Sequence, residues 1–278
     1  MKTSNPVLAR LGQAAERERA AGYAPAGAYG QPSGQAYPTA AGYPTQAGYP
    51  AAPPTVQPMT VDDVVVKTVT LLGITGLSAA AAWILVPDAM LFGAWIGAAV
   101  VGLVLGLVIS FSRVANPALV ITYAVVEGVF VGLASKVFQE IAGHQGIVLQ
   151  AVVATFGVFF LMAALYKMKV IRATPRFTRG LIAAMAGVFA VMLINLVLAL
   201  FGVDTGLRSG GGLAIVFSLV CIVIASLSFV LSFHEVEEGV RLGLPQRYSW
   251  TAAFGILVSL IWLYIEILRL LSFLQGDD

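Results

Sequence analysis

The sequence predicts an all-α integral membrane protein, in which seven transmembrane helices follow a disordered N-terminal tail. Hydrophobic residues make up 59% of the 278 residues and charged residues 11%, whereas soluble domains carry roughly a quarter charged residues. Apolar runs long enough to cross a bilayer follow one another from Val64 onward. A chain this apolar could not cover a soluble surface with polar groups, so the membrane is its expected environment.

Residues 1–60 form the first predicted unit, a cytoplasmic tail rich in Gly, Ala, Pro and Tyr. Its stretch GYAPAGAYGQPSGQAYPTAAGYPTQAGYPAAPP contains no Val, Leu or Ile. Such a segment cannot bury enough apolar area to offset its ordering entropy, so we expect it to be disordered. It is interpreted either as an inert tether or as a segment that associates weakly through Tyr and Pro. Residues 61–278 form the second unit, the membrane domain.

The seven predicted spans each have about the 20 residues that cross a bilayer at a rise of 1.5 Å per residue. Prolines mark most of the breaks between them, because proline lacks a backbone donor and restricts the residue before it. Pro87 ends the first span, Pro117 opens the third, Pro175 precedes the fifth and Pro245 separates the last two. The spans lie at about residues 64–86, 89–112, 117–139, 147–168, 178–202, 212–236 and 250–274.

Most basic residues fall on one side of these spans, the side of the N-terminus. Of the 16 Lys and Arg residues, only Lys136, Arg208 and Arg269 lie at the end opposite the N-terminus. The positive-inside rule therefore favours a cytoplasmic N-terminus, and seven spans then place the C-terminus outside. We expect a multi-pass protein of the cell membrane. The net charge of +2 gives no indication of nucleic-acid binding.

Three pairs of glycines four residues apart occur in the second and third spans. They are Gly93–Gly97, Gly102–Gly106 and Gly128–Gly132. Small residues at this spacing let two helix backbones approach closely, which matters in lipid because burial itself gives little driving force. We expect at least one pair to form a helix contact.

Glu127 lies in the middle of the third predicted span, directly before Gly128. A charge at membrane depth is costly unless it is paired, protonated or beside water. We therefore expect the Glu127 carboxyl to be protonated or paired. Two interpretations stay open, a functional group and a structural polar contact.

The sixth span ends in SFHEVEEGVRLG, which concentrates titratable side chains. Glu237 and Arg241 are four residues apart, the spacing of an ordinary helix surface pair. Glu235 is the deepest of these carboxylates and faces a different side from Glu237. With His234 beside it, Glu235 could sense protons or hold a cation such as calcium. The alternative is a solvated helix end.

The last span contains WLYIEILRLL, in which two charges interrupt an apolar run. Glu266 and Arg269 are three residues apart, so both project from one face of the helix and can neutralise each other. They are interpreted as a charge pair set into the bundle, with a pathway-lining role as the alternative. Asn195 in the fifth span should lie at a similar depth and is a candidate third partner.

The acid of the sixth span, the short loop and IWLYIEILRLLSFLQGDD together resemble the Bax inhibitor-1 family, which includes the transmembrane BAX inhibitor motif proteins and the bacterial YccA-like proteins. The resemblance covers about residues 60–278 and leaves the tail outside. It implies six helices around a central seventh. For the better-understood bacterial relatives it also implies a pH-sensitive calcium leak, which closes when two aspartates of helices six and seven share a proton.

Carried over without gaps, the helix-six acid of that resemblance falls on Glu235 and the helix-seven acid falls on Ser259, which has no carboxyl group. The turn near Pro245 lies about as far from one as from the other, so we expect Glu235 and Ser259 to be level. Glu266 lies seven residues further on and does not replace the missing acid. Arg113 matches a family arginine that pairs with the helix-six acid.

Two functions from different classes follow from the residues and the resemblance. The first is a pH-sensitive cation (calcium) leak with Glu235 at its gate. The second is a non-transporting regulator that binds other membrane proteins, such as a membrane protease, through the glycine faces and the tail. The expected partners are the lipid bilayer, calcium or protons, and membrane proteins.

An enzyme is not expected. A membrane serine protease needs a Ser–His pair, and the two histidines, His144 and His234, fall in an outside loop and at the inner membrane edge. The sequence contains no HExxH motif or Cys/His cluster for metal-assisted hydrolysis. We expect no resident cofactor, only transient calcium.

Overall fold

The structure is a computed structural model that describes residues 57–112, 114–141, 143, 145–202, 205–207 and 211–276. Within these residues, seven helices are long and apolar enough to cross a membrane. The seven spans predicted from the sequence are therefore confirmed. Residues 1–56 of the tail lie outside the described part of the chain, so the disorder predicted for them stays a prediction.

The helix bounds agree with the predicted spans to within a few residues at most ends. The main difference is the sixth helix, which continues to Arg241 rather than to about residue 236. A 3-10 turn at Asp88–Met90 precedes the second helix, and a π turn at Val137–Ile141 extends the third. The helices are α1 Val61–Leu85, α2 Leu91–Phe111, α3 Pro117–Lys136, α4 Ile147–Lys167, α5 Pro175–Leu200, α6 Gly212–Arg241 and α7 Tyr248–Gln275.

Polar caps fix the starts of three helices. The Thr60 hydroxyl accepts a hydrogen bond from Asp63 N at 3.1 Å, and the Asp63 carboxylate accepts one from Thr60 N at 3.0 Å. This reciprocal capping box satisfies two donors at the start of α1. Asn116 and Thr174 cap α3 and α5, each directly before a proline at the first helical position.

The residues before α1 pack on the loop between α6 and α7. Met59 N donates to Leu244 O at 2.7 Å, and Gln246 N donates to Gln57 O at 2.9 Å. The Met59 side chain is buried. The last residues of the predicted tail, 57–60, therefore contact the membrane domain through backbone pairing and a buried side chain.

The C-terminal helix α7 is the most buried of the seven. Helices α1, α3, α4 and α6 pack directly against it, while α2 packs chiefly on α3, and α5 packs on α6. This arrangement confirms the central seventh helix that the resemblance implied. The two outer helices, α2 and α5, leave room beside α6 and α7 for the cavity described below.

The Gly128–Gly132 pair is a helix contact. A Cβ on Gly128 would lie 2.5 Å from Thr75 O, and a Cβ on Gly132 would lie 2.8 Å from Ala79 Cα. Across the same contact the Ser78 hydroxyl donates to Val125 O at 2.7 Å. The absence of a side chain at both glycines lets α1 and α3 meet at backbone distance, as the sequence predicts.

Candidate functional site

One cavity of about 560 Å³ lies between α2, α3, α6 and α7. It brings Glu127 of α3 together with Glu235 and Ser259, the two positions that the resemblance had paired. Its other polar side chains are hydroxyls, and most of the remaining wall is apolar. The acidic and hydroxyl side chains that line it are Ser110, Tyr123, Glu127, Ser228, Ser232, Glu235 and Ser259.

Glu127 reaches this cavity from α3, together with Tyr123. The two side chains are four residues apart, so they share a face of the helix, and the Glu127 carboxyl interacts with the Tyr123 hydroxyl. Glycines on α2 make room for both. A Cβ on Gly102 would lie 2.6 Å from Glu127 Oε1, and one on Gly106 would lie 3.4 Å from the Tyr123 ring. This second glycine pair therefore accommodates polar side chains rather than another backbone.

Three polar residues of α6 face the same cavity. Ser228, Ser232 and Glu235 are spaced by four and three residues, which places them along one side of the helix. Ser228 and Ser259 are buried and hydrogen-bonded to each other, with 3.0 Å between the two Oγ atoms. Glu235 is the exposed residue of the three and lies nearest the loop between α6 and α7.

The expectation that Glu235 and Ser259 are level is wrong. Ser259 bonds to Ser228, and a Cβ on Gly255 would lie 4.0 Å from Ser232 Oγ. Glu235 lies seven residues beyond Ser228, about two turns or ~10 Å closer to the loop. The bonded pair Ser228–Ser259 has its midpoint between Gly243 and Leu244, whereas a level Glu235 and Ser259 would require the midpoint to lie at Arg247.

Glu127 lies near the level of Ser259. The Tyr123 ring packs edge-on against Phe254, with 5.0 Å between the ring centroids. Helices α3 and α7 start side by side, since Ala115 N donates to Thr251 Oγ1 at 3.1 Å. Glu127 is one turn after Tyr123 on α3, so it lies at about the depth of Val258 and Ser259, which are one turn after Phe254 on α7. The Glu127 carboxyl therefore lies at about the same depth as Ser259, the residue of α7 that has a hydroxyl in place of a carboxyl group.

His234 and Glu235 do not share a site. His234 lines a second cavity, together with Tyr166 and Glu237, whereas Glu235 lines the first. Consecutive residues of a helix point about 100° apart, and here α4 and α7 lie on different sides of α6. The predicted His–Glu pair is wrong for this reason.

The surface pair predicted between Glu237 and Arg241 is also not formed. Glu237 accepts a hydrogen bond from the Tyr166 hydroxyl at 2.5 Å. Arg241 instead pairs with Glu238, with 2.5 Å between Nη2 and Oε2. A tyrosine from α4 thus competes successfully for the carboxylate that the spacing along α6 had assigned to Arg241.

Glu266 and Arg269 form the ion pair that their spacing predicts. Arg269 Nη1 lies 3.0 Å from Glu266 Oε1 and 3.1 Å from Oε2. The Glu266 residue is only 1% exposed, so the pair is set into the bundle. The structure does not bring Asn195 to it, because the Asn195 amide donates to Thr205 Oγ1 in the segment after α5.

The remaining predicted site residue, Arg113, lies outside the described residues, as does His144. Over the described ranges, no three His, Cys, Asp or Glu side chains come together as a group that could hold a metal ion. The candidate calcium ligand Glu235 therefore stands in the cavity with hydroxyls and one other carboxyl group, Glu127.

Sequence reasoning missed the hydroxyls of this site. Ser228 and Ser232 precede Glu235 at helical spacing, and Tyr123 precedes Glu127 by four residues. Both patterns were visible, but each is common in membrane helices. Only the packing of α2, α3, α6 and α7 shows that the two patterns face each other.

Comparison with known proteins agrees with this architecture. A family model described as Bax inhibitor 1 like matches residues 5–276. The match reaches into the N-terminal 60 residues, so the expectation that the family resemblance begins at about residue 60 is wrong. A comparison with curated proteins finds no match. With its seven membrane-spanning helices and a family match over nearly its whole length, the chain is a multi-pass membrane protein that belongs to the Bax inhibitor 1-like family.

Proposed function

We propose that this protein is a pH-sensitive cation leak, with calcium as its cargo, and that the ion path passes through the cavity between α2, α3, α6 and α7. The observation that carries this proposal is that one cavity collects both Glu127 and Glu235 from two different helices. Carboxyl groups inside a membrane bundle are costly, and they typically mark ion or proton pathways.

The polar groups of the cavity follow one another along the seam between α6 and α7. Glu235 lies nearest the loop, Ser232 follows one turn deeper, and the Ser228–Ser259 pair lies one turn beyond that. Calcium prefers oxygen ligands, and these carboxyl and hydroxyl oxygens can replace part of its water shell stepwise.

The two carboxyl groups give the cavity a charge that depends on pH. The titratable side chains that line it, within the described chain, are Tyr123, Glu127 and Glu235. Each carboxyl group adds one negative charge to the same cavity when it loses its proton. Rising pH removes protons from them and leaves negative charge, which attracts cations. Glu127 thereby supplies from α3 the second acid that is missing at Ser259.

The proposed orientation has the N-terminus in the cytoplasm and the C-terminus outside the cell membrane. Basic residues support it: Lys167 ends α4, Lys169 and Arg172 lie in the loop that follows, and Arg241 and Arg247 flank the loop between α6 and α7. The end of the cavity at Glu235 then lies toward the cytoplasm. Neither an enzymatic activity nor a resident cofactor forms part of this proposal.

Calcium flux into proteoliposomes between about pH 5 and pH 8 tests the leak. The parent protein is expected to carry calcium faster as pH rises, and Glu235→Gln is expected to remove the pH dependence or the flux itself. The matched control is Glu238→Gln, which makes the same change on the same helix. Glu238 pairs with Arg241 and does not line the cavity, so this variant should keep the parent profile.

Two results would contradict the leak. One is a parent flux no greater than that of empty liposomes at every pH. The other is a pH profile that Glu238→Gln changes as much as Glu235→Gln does, since the effect would then come from general surface charge.

A non-transporting regulator that binds another membrane protein is the second candidate function. One observation favours it: Gly93 and Gly97 on α2 are exposed, and a Cβ on either would meet nothing within 4 Å. Such a pair is a face on which another transmembrane helix could pack closely. A membrane protein that co-purifies with the chain, together with an absence of calcium flux, would favour this candidate over the leak.

A further inference from the structure

A second cavity, of about 890 Å³, lies between the loop that joins α4 to α5 and the end of α6. It shares neither helix face nor side chain with the proposed ion path. We propose that it binds the phosphate headgroup of an anionic phospholipid. The charged and polar side chains that line it are Tyr166, Lys167, Lys169, Arg172, Thr174, His234 and Glu237.

The charge balance of this cavity favours an anion. Lys167, Lys169 and Arg172 contribute three cations against one carboxylate, Glu237. That carboxylate is already engaged, since it accepts a hydrogen bond from the Tyr166 hydroxyl at 2.5 Å. The first turn of α5 adjoins the same space, and its N-terminal dipole adds to the positive potential. Basic pockets between transmembrane helices are typical sites for anionic headgroups.

Lys169 adopts a backbone conformation that lysine normally avoids. Its φ is 61°, and it is the only non-glycine residue in the described chain with a positive φ. Helix α4 ends there in a Schellman motif, in which Lys169 N donates to Tyr166 O at 2.9 Å and Val170 N donates to Leu165 O at 3.0 Å. The left-handed position of this motif is usually glycine, because a Cβ is disfavoured there.

The end of α6 shows the same motif with the usual residue. Gly243 has a φ of 59°, and it donates to Val240 O at 3.0 Å while Leu244 N donates to Gly239 O at 3.0 Å. The chain therefore uses glycine at one helix end and Lys169 at the equivalent position of another. Lys169, the residue with the unfavourable backbone conformation, is also one of the three cations that line the cavity. A strained residue that lines a site indicates a functional use.

The apolar surroundings favour a lipid over a free phosphate ion. Met168 and Val170 alternate with the two lysines in the loop and are 64% and 65% exposed. Between two membrane spans, such side chains contact the bilayer while the lysines turn to the headgroup level. The inner wall of the cavity is also apolar, with Phe233 and Val240 among its lining residues. The cavity thus offers cations for a phosphate beside a surface for the start of an acyl chain.

The test measures which lipids stay bound to the protein. The full chain is placed in nanodiscs of equal parts phosphatidylglycerol and phosphatidylcholine, released, and analysed by native mass spectrometry. The parent is expected to retain phosphatidylglycerol in preference. In the double variant Lys169→Gly with Arg172→Gln, the ratio of bound phosphatidylglycerol to bound phosphatidylcholine should fall about fivefold for each cation removed.

The matched control removes the same two charges from the neighbouring start of α5. Arg176→Gln with Arg179→Gln changes two exposed arginines that do not line the cavity, and this variant should keep the parent preference. Lys169→Gly alone should unfold at the same temperature as the parent or higher, because glycine suits the positive φ. A loss of lipid in the variant would then not reflect misfolding.

Three outcomes would overturn the proposal. The first is a parent that retains the two lipids equally. The second is an equal loss in both double variants, which would indicate general surface charge. The third is binding of added inorganic phosphate at this loop without any preference for phosphatidylglycerol, which would identify a free-anion site instead.

Discussion

The Gly132→Ala variant is expected to lower the free energy of unfolding by about 3 kcal/mol, or to prevent folding, because the new methyl group has no space. The added Cβ would lie 2.8 Å from Ala79 Cα and from the Ala79 carbonyl carbon. Those atoms belong to the backbone of α1, so they cannot turn away as a side chain could. Thermal unfolding of the purified protein in detergent measures the loss.

The control for this prediction is Gly97→Ala on α2. A Cβ there meets nothing within 4 Å, and alanine is the better helix former, so stability should stay the same or rise slightly. Equal melting temperatures for the Gly132 variant and the parent would show that α1 and α3 do not meet at backbone distance.

Removing one partner of the buried ion pair is the second large change. Arg269→Met should lower the free energy of unfolding by about 3 kcal/mol or more, because it leaves the Glu266 carboxylate buried without its cation. The double variant Glu266→Gln with Arg269→Met should recover most of that loss, since no charge then remains. Thermal unfolding compares the parent, Arg269→Met and the double variant. A double variant less stable than Arg269→Met would show that an unpaired Glu266 charge is not what destabilises the single variant.

Much of the fold could be predicted from the sequence because it depends on local patterns. Span length and the prolines between spans determine where helices begin and end, and a three-residue spacing is enough to pair Glu266 with Arg269. The Gly128–Gly132 contact could likewise be predicted, because two glycines at this spacing lack the side chains that would keep the helix backbones apart.

The candidate site was harder to predict because it depends on how helices align. The register between α6 and α7 differs by about two turns from the expected one, so Ser228 rather than Glu235 faces Ser259. The rotation of α6 decided that His234 and Glu235 enter different cavities. Glu127 could be recognised as costly from sequence, but its depth beside Ser259 depends on the packing of α3 against α7.

The contrast between Lys169 and Gly243 shows a further limit of sequence patterns. Both residues occupy the left-handed position of a Schellman motif, yet only glycine signals such a helix end in a sequence. From the sequence alone, a lysine at this position cannot be distinguished from an ordinary surface lysine. The backbone angle and the cavity are what distinguish it from the other basic residues of the loop.

The most direct test of the ion path asks whether blocking the cavity stops calcium. In a Cys221→Ala background, which removes the single cysteine, Ser232→Cys places one thiol on the cavity wall. The control is Ser226→Cys on the same helix, whose hydroxyl donates to Ile222 O and does not line the cavity. A charged thiol reagent is added to proteoliposomes while calcium flux is recorded, and mass spectrometry measures the labelling. If calcium passes through the cavity, labelling at position 232 abolishes the flux and the control keeps it. Full labelling at position 232 with an unchanged flux would exclude this ion path.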